Sequence, residues 1–106
     1  MTPAIQLTDP SVVAMRFRSL ADQWKTATAL QSSITAMVEH PAYQEIIALG
    51  QPVVPLLLHD LQPEPVHWFE ALQAITGEDP VPRESWGKIQ AMADAWLAWG
   101  RMRGLI

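Results

Sequence analysis

Prolines and glycines divide this chain into segments of helical length, and that punctuation constrains its fold more than any other feature. Pro10, Pro41, Pro52, Pro55, Pro65, Pro80 and Pro82 each stand just before or just inside a run of apolar residues. Proline is tolerated in the first turn of a helix, where its missing N–H has no partner to lose, and disrupts the interior. Gly50, Gly77 and Gly104 stand just after such runs, where a left-handed cap ends a helix. Between these marks the apolar residues recur at three- and four-residue intervals, and no segment alternates long enough for a strand. The expectation is an all-α fold of five to six helices, a small helical bundle.

Asp9 is a fitting N-cap and Pro10 a fitting first helical residue. Val13, Phe17, Leu20, Ala21 and Trp24 then form an inward stripe, which continues through Ala27, Leu30, Ile34, Met37 and Val38. A Ser/Thr-rich patch interrupts it, so the pattern fits one long bent helix or two helices meeting near Ser32-Ser33. His40-Pro41 restarts the chain, with Tyr43, Ile46 and Ile47 inward. Val54, Leu57, Leu58 and Leu61 form the next inward face. A further helix opens at Pro65, carrying Trp68, Phe69, Leu72 and Ile75. Residues 78–83 form an extended, Pro-rich connector. The last helix spans Arg83 to Arg103, with Trp86, Ile89, Met92, Ala93, Trp96, Leu97 and Trp99 on its stripe. Residues 1–106 are expected to make a single domain, with 1–8 a flexible N-terminal segment.

The stretch Gly50, Val54-Pro55, Leu57-Leu58, Leu61 resembles the first half of a HEAT-type helical repeat. Ala71-Leu72, Ile75 and Gly77 resemble its second helix. About one and a half repeats would cover residues 41–80. Trp68-Phe69 stands where that family usually has two alanines, and its usual arginine is absent. The resemblance implies a short superhelical stack closed by atypical terminal helices, in which each helix pair buries its apolar face on its neighbours. His40-Pro41-Ala42-Tyr43-Gln44, His67-Trp68-Phe69, Ile75-Thr76-Gly77-Glu78, Pro80-Val81-Pro82 and Trp96-Leu97-Ala98-Trp99-Gly100 together resemble a family of small bacterial proteins of unknown function, which implies a bacterial, cytosolic origin and no activity.

Composition narrows the function classes. An apolar fraction of 49% with 17% charged residues is that of a folded chain. Without cysteine there is no disulfide framework or thiolate chemistry. A net charge of −4 argues against nucleic acid. The N-terminus has no signal-peptide pattern and no apolar run is long enough for a membrane span, so a cytoplasmic location is expected. His40, His59 and His67 lack metal-ligand spacing, so no metal and no cofactor are expected. No nucleophile motif is present, and Glu78-Asp79 is read as a solvated helix end rather than a catalytic pair. No catalytic residue is assigned.

Tryptophan is the discriminating residue. Four of the five, Trp68, Trp86, Trp96 and Trp99, lie in the C-terminal part. Tryptophan is enriched both in cores and at interface hot spots. Trp24, Trp68 and Trp96 are expected to be mostly buried, and Trp86 and Trp99 partly exposed. The candidate partner-binding set is His67, Trp68, Trp86, Trp99, Arg101 and Arg103, with Trp68, Trp86 and Trp99 near one another. The expected function is a non-enzymatic protein–protein interaction module: a small bacterial accessory, adaptor or neutralising protein that binds a protein partner or itself. The alternative is a small-molecule or peptide binder, or an enzyme, with a Trp-lined groove.

Overall fold

The computed structural model describes residues 9–106; the expectation for residues 1–8 lies outside them. The described residues form six α-helices and two short 3-10 turns, with no strand among them. The fold class is all-α. The chain divides into two compact units, Met1–Val53 and Val54–Ile106.

In the first unit, α1 (Pro10–Ala27) starts where Asp9 and Pro10 direct it. Asp9 Oδ1 accepts hydrogen bonds from the Ser11 N–H at 2.9 Å and the Val12 N–H at 3.4 Å, satisfying donors that the first turn leaves free. Val13, Phe17, Leu20, Ala21 and Trp24 are its buried residues. The helix ends at Thr28, whose hydroxyl and N–H both donate to the Trp24 carbonyl, at 2.6 and 3.0 Å. This resolves the choice between one bent helix and two. Ser33 caps a separate α2 (Ile34–Glu39) by accepting from the Ala36 N–H at 3.2 Å.

The expected stripe therefore stops early. Leu30 is fully exposed in the turn, Ile34 is exposed, and α2 buries none of its residues fully. His40 ends α2 and starts α3 (Pro41–Ala48) in the extended conformation that a residue before proline prefers. Its Nδ1 accepts from the Ala42 N–H at 3.1 Å. α1 packs against α3 and against the 3-10 turn Gln51–Val53, and α2 against α3. Trp24 ties these elements together: its ring lies 5.2 Å from that of Tyr43, and its Nε1–H donates to the Met37 carbonyl at 2.8 Å.

In the second unit, α4 (Val54–Leu61) buries Val54, Leu57, Leu58 and Leu61, as its spacing predicts. α5 (Phe69–Thr76) starts four residues later than Pro65 suggests. Trp68 occupies the N-cap position; it is fully buried, and its Nε1–H donates to Asp60 Oδ2 at 2.7 Å. Gly77 ends α5 and begins the irregular connector, where the Asp79 carboxylate accepts from the Val81 N–H and Val81 is buried.

The last helix, α6 (Ile89–Met102), is shorter than its apolar stripe suggests. A 3-10 turn, Arg83–Ser85, comes first, and Gly87 then adopts a φ of +82°, which an α-helix interior cannot contain. α6 buries Ala93, Trp96, Leu97 and Gly100 and packs against α4. Gly100 is the point of close approach: a Cβ there would lie 2.7 Å from Leu58 Cδ1 and 3.3 Å from Ile106 Cγ1. The chain then turns back in a Schellman cap, with the Leu105 N–H donating to the Gly100 carbonyl and the Gly104 N–H to that of Arg101.

Candidate interaction surface

The site residues expected from sequence all fall in the second unit, and their environments separate them. Trp68 is a core residue with no exposed surface; as placed, it supports α5 and offers nothing to a partner. His67 beside it is half-buried, its ring edge-on to Phe69 at 6.2 Å. Arg101 is exposed in the last turn of α6, where a positive charge complements the helix dipole.

Trp86 is the surface aromatic. It is 56% exposed, between the 3-10 turn Arg83–Ser85 and Gly87. Its backbone N–H donates to the Arg83 carbonyl at 3.1 Å, and the Arg83 guanidinium lies 5.5 Å from its ring centre. The ring thus stands on a short turn with a cation near one face.

Trp99 and Arg103 form a second group through Glu78, whose role the sequence did not disclose. Glu78 Oε1 accepts from Arg103 Nη2 at 2.6 Å and from Trp99 Nε1 at 3.3 Å. The Arg103 guanidinium sits 5.0 Å from the Trp99 ring centre, and Trp96 meets Trp99 edge to face at 5.2 Å. Trp99 is half-buried. Trp96 is fully buried, and its Nε1–H finds no acceptor among the described residues. Glu78 and Asp79 act separately: one holds α6, the other orders its own connector. Spacing in the sequence shows that Trp99 and Arg103 share a helix face, but Glu78 lies 21 and 25 residues away from them.

In the first unit, Arg16 of α1 pairs with Glu45 of α3 at 2.9 Å. Val12, Met15, Arg16 and Ser19 also line an open, largely apolar groove on α1. Among the described residues, no three His, Asp or Glu side chains are grouped to hold a metal ion, and no helix is long and apolar enough to cross a membrane. Compared with known protein families, curated proteins and solved structures, the chain matches none.

Proposed function

We propose that this chain is a non-enzymatic protein–protein interaction module, a small cytoplasmic accessory, adaptor or neutralising protein whose principal contact residue is Trp86. The observation that carries this reading is the exposed Trp86 ring on its short turn with Arg83 against it. Tryptophan and arginine are among the residue types enriched at interface hot spots. The HEAT-like reading is part of the same proposal. Its support is that Val54, Leu57, Leu58, Leu61, Ala71 and Leu72 are buried and that Gly50 and Gly77 have positive φ, as the repeat pattern requires. Such helix pairs present binding surfaces on a packed scaffold.

The test is quantitative capture from the source cell, compared between the native chain and Trp86→Ala, with sedimentation to detect self-association. The expected result is one stoichiometric partner, or a self-associated form, bound at least about tenfold more weakly by the variant, as for a hot-spot residue. Undiminished binding by Trp86→Ala, or neither partner nor self-association in the native chain, overturns the proposal.

A further inference from the structure

We infer that the face of Trp99 and the carboxylate of Glu78 form a guanidinium-binding site, filled in this chain by its own Arg103, into which an arginine side chain of a protein partner exchanges. An aromatic face and a carboxylate together recognise a planar cation: the ring attracts the charge, and the carboxylate takes the N–H donors. Both are present here, 5.0 and 2.6 Å from the Arg103 guanidinium.

The walls of this site also have contacts that do not involve their occupant. Trp99 donates its indole N–H to Glu78 Oε1 and rests against the buried Trp96. The backbone N–H of Glu78 donates to Thr76 Oγ1 at 3.1 Å, and the Thr76 hydroxyl donates to the Leu72 carbonyl of α5 at 2.7 Å. The occupant is held less fully. Arg103 and Glu78 have side chains 51% and 41% exposed. Both bonds to Glu78 fall on Oε1, so Oε2 has no partner among the described residues. An incoming guanidinium can bridge both oxygens, which Arg103 does not do.

Rotation of the Arg103 side chain alone opens the site. The cap of α6 is made by backbone bonds of Gly100, Arg101, Gly104 and Leu105 and survives that rotation. The net charge of −4 favours approach of a basic segment. The arginine-bearing partner rests on the interaction-module reading; the site itself does not.

The experiment titrates the full chain and its Arg103→Ala variant with N-acetylarginine amide, following the Trp99 indole N–H by NMR. N-acetylcitrulline amide, a neutral isostere, is the control. Arg103→Ala is expected to bind the arginine compound saturably and at least about tenfold more tightly than the citrulline compound, a preference that Glu78→Gln removes. The native chain is expected to reach the same Trp99 shift at higher concentration, because Arg103 competes. Should Arg103→Ala fold poorly, Arg103→Gln keeps the length of the side chain without its charge and gives the same comparison. No saturable Trp99 shift in the variant, an equal response to citrulline, or no shift in the native chain overturns the inference. Saturable arginine binding alongside failure of the Trp86→Ala test leaves the site standing and removes only the interaction-module reading.

Discussion

The two units of this chain differ in how their helices begin. In the first, helix ends are satisfied by nearby polar side chains. Asp9, Ser33 and His40 each accept backbone N–H bonds at a helix start, and the Thr28 hydroxyl donates to the last turn of α1. In the second, Trp68 and Lys88 occupy N-cap positions without a side-chain capping bond. Those helices are held by close apolar packing and side-chain bonds across the chain, Leu58 against Gly100, Trp68 to Asp60, and Trp99 and Arg103 to Glu78, as Trp24 holds Met37 in the first unit. Local capping is written in neighbouring residues. Long-range packing is visible only when the chain has folded.

The contrast breaks first at Trp68. Replacing this fully buried ring by alanine removes the anchor of α5 and is expected to cost about 3–5 kcal/mol in urea denaturation. A loss no larger than that of a surface substitution would show that the second unit does not depend on its packed rings.

Gly100 sharpens the contrast through its close neighbour Leu58. Gly100→Ala forces a Cβ against Leu58, an overpacking cost of about 1–3 kcal/mol offset by about 1 kcal/mol of helix propensity. The expected net effect is a modest loss of stability. In a Leu58→Ala background the 2.7 Å contact is gone and only the approach to Ile106 at 3.3 Å remains, so the same substitution should cost less. An equal cost in both backgrounds would contradict the close approach of α4 and α6.

The smallest effect tests the capped side. Hydrogen bonds from the Ser11 side chain, then from the Ser11 and Val12 backbone, hold the Asp9 carboxyl below its ordinary value of 3.8. A lowered folded-state value means that the cap's contribution is complete above that ordinary value and is lost as the pH falls through the folded one. Acid titration should therefore fray the start of α1 only below about pH 4, read from the Val13 amide by NMR. Asp9→Asn, which still caps, should abolish that dependence. Fraying that begins near neutrality would assign the effect elsewhere.

The same contrast explains how much was legible beforehand. Asp9-Pro10, Ser33, His40-Pro41 and Gly77 mark helix ends by chemistry within a few residues, and the structure places boundaries at each. The buried stripe of α4 was equally plain. The start of α6 was not, because Trp86 continues the apolar spacing while Gly87 breaks the helix. Leu30 also kept helical spacing and is solvent-exposed, since Thr28 had already ended α1. Of the candidate surface, the exposure of Trp86 and the half-burial of Trp99 followed from their positions. Glu78 did not, because its partners are distant in sequence.

Solvent exchange of the five indole N–H groups, followed by NMR, measures the division among the tryptophans directly. Trp86 is expected to exchange fastest and Trp24, Trp68 and Trp96 slowest, with Trp99 between them because Glu78 holds its N–H. Slow exchange at Trp86, or fast exchange at Trp68, would contradict both the packing of the second unit and the surface assigned to it.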